Sequence, residues 1–544
     1  MARTRSKFDA PLAAIFLLAV AFRVYDIDRL DVWIDEANAI LTASQSLPVV
    51  FQKLRLDSSP PLYYVVLHGW IRLFGDGALA VRLLSSLFSL ALVAATYAAG
   101  KELISRPVGL WAAAFIAVSP VQAYYSQQAR MYTLLPLLAL LSVFFLVRYL
   151  RDERPRDAFL WVGSTVLAVY DHNFALFVLP VHGVLVALSG KLLTRFRTWA
   201  LAAAVIALAY GPWLPFFLEQ VQNKDHYAWF ESYWQRWGVL GSIFRSVRSW
   251  SPGAEYVSFG GLSQYARWGG LPTLASLLLA GYGAYRLARR RHGAVEDLWP
   301  TVYLLVPIAA ALLVSWLVTP NYVAGRVDQM MLPAFALLVG TGLQDLGPRP
   351  LRVAAAISLL AVAGYTRWTL FPPTPKVGLY KVAEVRHEVS VSGTDRALVA
   401  AIAERWRPGD VIVTTSLTRA SIQYYLGRQG IDARFVSYPR ETASHLGSQN
   451  DTRLLADPRA LVKEADAAMA EARRLASADG RIFLVRVRAR VNGPLRESSV
   501  VGRMGLERIE RLGDFAQTGS SSLVEAALYR PRRRSQRPVD SGST

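Results

Sequence analysis

Five short stretches carry side chains whose types and spacing suit proton transfer and anion binding. The first is Trp33-Ile34-Asp35-Glu36-Ala37-Asn38, where two adjacent carboxylates follow an apolar segment. Apolar surroundings disfavour a charged carboxylate and make it a better proton acceptor, so Asp35 is a candidate base and Glu36 its neighbour for orientation. The same acids also suit a solvated helix start, where they favour the N-terminal dipole. The second stretch is Asp57-Ser58-Ser59-Pro60-Pro61-Leu62-Tyr63-Tyr64. Its two prolines stop one helix and can begin the next, which sets Asp57 at a fixed turn, with capping as its simplest role. The third runs from Ser119 to Tyr132 and ends Gln127-Gln128-Ala129-Arg130-Met131-Tyr132, with Arg130 as its one charge. A guanidinium there either snorkels to water or matches a phosphate. The last two are Asp171-His172-Asn173 and Gly325-Arg326-Val327-Asp328-Gln329. Taken singly, a histidine at such an edge is more often structural, and Arg326 with Asp328 can be a local ion pair.

The elements that must position these groups follow from composition. Of 544 residues, 53% are hydrophobic and only 18% charged, which excludes a soluble enzyme and a disordered chain and points to a polytopic membrane protein. With 0 cysteines there is no disulfide, thiolate metal site or cysteine nucleophile. Apolar segments near 10–25, 79–100, 107–124, 131–147, 157–171, 173–189, 198–218, 270–285, 299–319, 327–343 and 353–370 predict about 11 transmembrane helices. The net charge of +20 is distributed by topology. Connections expected inside carry Arg3, Arg5 and Lys7 at the N-terminus, then basic clusters around 101–106, 148–156, 191–197, 286–291 and 349–352. The short outer connections hold only Arg130 and Arg326. This asymmetry places the N-terminus in the cytoplasm, and it leaves nucleic acid without support as a partner. A cleaved leader ending near Ala19-Val20-Ala21 would leave the later topology unchanged.

Residues 1–374 thus form a multi-pass membrane domain with two long outer loops, 26–78 and 219–268. Pro60–Phe74 within the first reads as a helix at the outer interface, because it is short and contains His68 and Arg72. The second, with Trp229, Trp234, Trp237, Trp250, Tyr227 and Tyr233, is expected to lie on the membrane. Residues 375–531 alternate helix and strand signals: helices at 396–407, 417–428 and 458–476, strands at 411–415, 434–437, 481–491 and 524–529. That pattern predicts a small extracytoplasmic α/β domain, without a G-x-G-x-x-G fingerprint. Residues 532–544 read as a disordered basic tail. The fold class is therefore mostly α, a helical membrane bundle with a C-terminal α/β domain. All five polar stretches fall at outer helix ends, where they can converge on one site.

The W-x-D-E-A motif, the D-x-x-P-P-L-Y-Y run and the S-Q-Q-A-R-M-Y hairpin together resemble the GT-C class of lipid-dependent membrane glycosyltransferases. Within it they are most similar to the bacterial relatives of protein O-mannosyltransferases and of the lipid A aminoarabinose transferase. The resemblance is specific over about 10–190 and extends more loosely to 370, where Gly325 to Pro333 fits a G-R-x-D-x-x-x-x-P pattern. It implies a sugar donor carried on a polyprenyl phosphate, an active site at the outer face of the cytoplasmic membrane, and Asp35 as the catalytic acid residue. Family members differ over metal dependence, which leaves a divalent cation as the one cofactor in question; no dedicated metal cage stands out. The family usually has His or Lys directly before the Pro-Pro pair, whereas this chain has Ser59, one donor-phosphate partner fewer.

Sugar transfer from a phosphate builds positive charge at the anomeric carbon and, with inversion, needs one base for the acceptor hydroxyl. Asp35 suits that step. The leaving phosphate needs cations, for which Arg130 is the first candidate and Arg326 the second. Asp57, Tyr63, Gln128, Tyr132 and His172 complete the candidate donor-phosphate and substrate set. The acceptor is a lipid, a glycan or a protein. The rival readings are a flippase or transporter of a lipid-linked sugar and a catalytically inactive membrane scaffold. Transporters show internal repeats and midplane polar groups, and neither is clear here.

Overall fold

The computed structural model describes residues 9–28, 31–55, 57, 59–222, 224–252, 257–258, 261–262, 270–290, 294–318, 320–370, 394–415, 418–440, 457–477, 480–488, 506–516 and 523–531. The basic N-terminus with Arg3, Arg5 and Lys7, the linker from 371 to 393 and the tail 532–544 lie outside the described residues. The chain divides into two units: 1–30 with 39–392, and Asp31–Asn38 with 393–544. Eight residues of the first outer loop thus group with the C-terminal unit.

The first unit is helical and belongs to a multi-pass membrane protein. Its N-terminal helices are α1 (Ala10–Val24), α2 (Ile34–Ala43, beginning in the second unit), α3 (Leu47–Leu54), α4 (Leu62–Phe74) and α5 (Ala78–Leu103). They are followed by α6 (Arg106–Ala117), α7 (Pro120–Ser126), α8 (Leu134–Asp152), α9 (Pro155–Asp171), α10 (Val178–Leu188), α11 (Phe196–Tyr210) and α12 (Leu214–Gln222). The remainder are α13 (Lys224–Trp250, kinked at Gly238), α14 (Gly270–Ala288), α15 (Ala294–Leu317), α16 (Leu332–Asp345) and α17 (Arg349–Leu370). Each of the eleven apolar segments carries helix among its described residues. Among the described residues, 3 helices are long and apolar enough to cross a membrane, and up to 5 if bent pairs count as single spans. Two of the expected crossings are such pairs: 107–124 is α6 and α7 bent by 58°, and 198–218 is α11 and α12 bent by 69°. Proline is the cause in both, at Pro120 and at Pro212 and Pro215, since it removes a ladder donor and clashes with the preceding turn.

Apolar side chains face outward along the bundle, among them Leu208 at 77% and Trp316 at 73% exposure, as a lipid-facing surface requires. Inside, small residues bring backbones together. A Cβ on Gly342 would lie 2.1 Å from the Leu279 carbonyl oxygen, so α14 and α16 can meet at this distance only through glycine. Ion pairs join helix ends that the charge pattern assigns to one side: Arg106 to Asp9, Arg148 and Arg151 to Glu102, Lys191 and Arg195 to Glu153, Arg286 to Asp345. They are partly solvent-exposed and add little stability each.

Both long outer loops carry helix: α2, α3 and α4 in the first, α13 in the second. Trp250 departs from its expected headgroup position. It is 1% exposed and packs on Phe335 with ring centroids 5.4 Å apart. Its helix turns a serine-rich face inward, where the Ser246 hydroxyl pairs with the Tyr322 phenol at 2.7 Å. The side chains of Tyr227, Trp229 and Tyr233 lie outside the described residues.

The second unit is built on a five-stranded sheet. Its strands are β3 (Val411–Thr415), β4 (Arg434–Tyr438), β5 (Ile482–Arg488), β6 (Leu506–Ala516) and β7 (Leu523–Pro531), after a two-stranded ribbon β1 (Val257–Ser258) and β2 (Gly261–Leu262) in the first unit. Strand order is β4-β3-β5-β7-β6, parallel through β4-β3-β5 and antiparallel from β5 to β6. Alternation along β3 sends Val411 and Val413 to a core with Met469 and Ala472, and Ile412 to a core with Leu398, Ile422 and Leu426. Helices α18 (Thr394–Ala403), α19 (Arg419–Arg428) and α20 (Pro458–Leu475) supply those side chains. Strand β6 has no strand signal in the sequence, because Glu507, Arg508, Glu510 and Arg511 break its apolar pattern; charge on an edge strand protects it from further pairing.

Candidate functional site

In the first unit the polar stretches gather around one aromatic ring. Tyr132 lies in a short 3-10 turn (Met131–Thr133) directly after Arg130, whose extended backbone marks the break before α8. The Arg130 guanidinium carbon sits 5.8 Å from the Tyr132 ring centroid and that of Arg326 sits 5.0 Å away. The Arg326 Nε–H also donates to the Tyr132 hydroxyl. Arg326 follows Gly325, whose φ of +76° is the left-handed turn that most side chains resist. Two guanidinium groups at one ring repel each other, and an oxyanion with planar acceptors relieves that repulsion by bonding to both. Both arginines are buried.

Second contacts fix each arginine. The Arg130 Nη1 donates to the Tyr64 hydroxyl at 3.3 Å, and Tyr64 donates to Asp57 Oδ2 at 3.0 Å. Asp57 therefore acts on Arg130 through a phenol. Beneath them, Ser85 Oγ donates to the Arg130 carbonyl at 3.3 Å, which leaves the Tyr63 hydroxyl as donor to Ser85 at 3.0 Å. Tyr63, read from sequence as substrate-binding, is 1% exposed and works as a strut under the Arg130 backbone. Gln128 is buried, and its Oε1 has no hydrogen-bond partner among the described residues. His172 is half-buried, with its ring centroid 6.1 Å from that of Tyr132. Its Nδ1 accepts the Phe174 N–H at 3.0 Å. Burial, with Arg326 and Arg130 nearby, pushes the His172 imidazole down to about 3, so it offers a neutral N–H and no positive charge.

A chain of side-chain amides that the motifs did not reveal supports Arg326. The Arg23 Nε donates to Ser89 Oγ (2.8 Å), Ser89 to Gln122 Oε1 (3.0 Å), Gln122 Nε2 to Gln329 Oε1 (2.6 Å), and Gln329 Nε2 to the Arg326 carbonyl (3.1 Å). Every donor points the same way, so each amide has one orientation. The remaining Arg23 nitrogens donate to the carbonyls of Ala19, Ala117 and Ile116, the last two at the end of α6 before Pro120. A proline break at Ser119-Pro120 was the available signal for that arginine.

The acidic pair belongs to the second unit. Asp35 and Glu36 stand in the first turn of α2; Asp35 is half-buried and Glu36 is 1% exposed. Asp31, four residues before Asp35, is fixed by contacts with α18 and α19 of the same unit. Among the described residues, no cluster of three or more His, Asp and Glu side chains gathers into a metal cage.

Comparison with known proteins places this architecture. The chain aligns with the crystal structure of apo ArnT from Cupriavidus metallidurans at a TM-score of 0.57, 13% identity, covering 95% of this chain and 97% of that one. The chain has the GT-C glycosyltransferase fold. The same ArnT bound to undecaprenyl phosphate aligns equally, with 12% identity over 95% and 97%. The Archaeoglobus fulgidus oligosaccharyltransferase in its apo form gives a TM-score of 0.50 at 12% identity, over 88% of this chain and 69% of that one. Residues 58–216 match the family model described as dolichyl-phosphate-mannose-protein mannosyltransferase, a span that includes Arg130, Tyr132 and His172. A search of curated proteins finds no match. The resemblance read from three motifs thus holds at the level of the fold.

Proposed function

We propose that this protein is an integral-membrane glycosyltransferase that moves a sugar from a polyprenyl-phosphate donor to an acceptor hydroxyl. The observation that carries the reading is the pair of buried guanidinium groups at Tyr132, in a fold shared with a protein that has been crystallised with undecaprenyl phosphate. Arg130 and Arg326 receive the donor phosphate, Tyr132 holds their planes apart, and Asp57 orients Arg130 through Tyr64. His172 and Gln128 offer neutral polar groups beside them.

Asp35 is the base in this reading, with Glu36 beside it. It takes the proton of the acceptor hydroxyl as that oxygen bonds to the anomeric carbon from the face opposite the phosphate. The anomeric C–O bond breaks, and the phosphate leaves with the electron pair, its charge met by the arginines. The configuration inverts. The positive charge on one set of helix ends supports a cytoplasmic N-terminus and a reaction at the outer face of the cytoplasmic membrane. The acceptor class is a lipid, glycan or protein hydroxyl.

The test is a transfer assay on purified protein in lipid, with a panel of polyprenyl-phosphate sugars and membrane-extract acceptors, read by mass spectrometry. Product from the wild type and none from Asp35→Asn supports the enzyme and names the sugar. No product, with donor moved between leaflets instead, replaces it with a flippase.

A further inference from the structure

The C-terminal unit includes eight residues from the far end of the sequence, Asp31 to Asn38, and they carry the acidic pair. Asp31 is 2% exposed. Its Oδ2 accepts the backbone N–H groups of Asp395 at 2.7 Å and Arg396 at 3.3 Å, in the first turn of α18. Its Oδ1 pairs with the Arg396 Nε at 3.2 Å. The adjacent Val32 N–H donates to the Tyr425 hydroxyl of α19 at 2.7 Å, and the Arg396 Nε approaches that hydroxyl at 3.3 Å. Helix caps usually come from the residue next to the helix. Here the cap is supplied from 364 positions earlier, and it joins two helices of the α/β domain to the peptide that leads into α2.

We propose that the C-terminal domain is a positioning device for transfer, in which Arg396, Tyr425 and the α18 N-terminus latch Asp31 and Val32 and so fix the turn that carries Asp35. The inference rests on the reading of Asp35 as the base. Only Trp33 and Ile34 separate the latched Val32 from Asp35, and Val32 is itself fully buried, so little slack lies between them. Misplacing a reacting group by about 1 Å costs on the order of 10²-fold in rate, which gives such a latch its leverage. Asp31, Arg396 and Tyr425 are positioning residues; none is placed on substrate.

The experiment uses the full chain in lipid and compares Asp31→Ala, Asp31→Glu, Tyr425→Phe and Asp35→Asn. The measurements are kcat and donor KM, undecaprenyl-phosphate binding, and hydrogen exchange of the Trp33–Asn38 amides. Asp31→Ala is expected to lower kcat by roughly 10- to 100-fold, with donor KM and lipid binding within about twofold and faster exchange at 33–38. Asp31→Glu is expected to recover part of that loss. Tyr425→Phe, which removes one hydroxyl and keeps the packing, carries the same test at smaller amplitude if Asp31→Ala does not fold. Wild-type kcat in folded Asp31→Ala or, should it not fold, in Tyr425→Phe, with Asp35→Asn inactive, overturns the latch alone. Retained turnover in Asp35→Asn overturns the base assignment beneath it.

Discussion

The acidic and the cationic candidate groups, which belong to different units, are made in opposite ways. The acidic group is local: Asp35 and Glu36 are adjacent residues in one helical turn. The cationic group is assembled from the turn before α4, α4 itself, the turn before α8, the link after α9 and the turn at Gly325, so Asp57, Tyr64, Arg130, His172 and Arg326 meet only in three dimensions. Their supports differ too. Asp31, beside the acidic pair, is met by a guanidinium and backbone N–H groups of an α/β domain. Arg23, which begins the chain of bonds to Arg326, is met by a hydroxyl and three carbonyl oxygens. In a helical bundle, backbone breaks supply free carbonyls, and arginine is their natural partner. A helix N-terminus supplies free N–H groups, and a carboxylate is theirs.

This contrast predicts different kinetic signatures. Asp35→Asn is expected to cut turnover by roughly 10³-fold, within the range for losing a general base, with undecaprenyl-phosphate binding unchanged. Arg326→Ala or Arg130→Ala is expected to weaken that binding by about 10- to 100-fold, as loss of a charge-assisted bond allows. Binding measured by native mass spectrometry beside turnover separates them; equal binding loss in Asp35→Asn erases the distinction between the acidic and cationic groups.

Smaller effects sharpen it. The buried Asp410 accepts from the Arg407 and Arg481 backbone N–H groups and pairs with the Arg481 guanidinium at 2.8 Å, so Asp410→Ala is expected to cost the C-terminal unit about 3–5 kcal/mol. Thermal unfolding should show that loss, while undecaprenyl-phosphate binding stays intact. Gln329→Leu strips the partners from Gln122 Nε2 and the Arg326 carbonyl, at about 1–3 kcal/mol, and is expected to lower both melting temperature and lipid binding.

The smallest effect concerns pH. With the His172 imidazole pushed down to about 3, the folded protein binds fewer protons there than the unfolded chain, whose histidine titrates near 6.5. Stability from this group is therefore present above about pH 6.5 and is lost as pH falls from there toward 3. Melting temperatures at pH 7.5 and 5 should show His172→Gln less acid-sensitive than wild type, and the rate profile from pH 5 to 8 should carry no inflection from His172.

Much of this was legible in the chain. The apolar segments are all helical because a bilayer-length run of hydrophobic residues has few other ways to satisfy its backbone. Strand β3 at Val411–Thr415 falls on its expected residues, since a short apolar run after Pro408-Gly409-Asp410 has clear edges. Two bends and edge strand β6 were not legible, because proline inside an apolar run and charge on an exposed strand each obscure the period. Asp35, Glu36, Arg130 and Arg326 could be named from residue type and the motifs around them. The roles of Tyr63, Tyr64 and Ser85, the Gln122–Gln329 link and the partnership of Asp31 with Arg396 could not. Local sequence determines which groups can ionise and which segments prefer lipid. Contacts between residues separated by up to 393 positions depend on how helices and strands pack, and tertiary structure alone decided them.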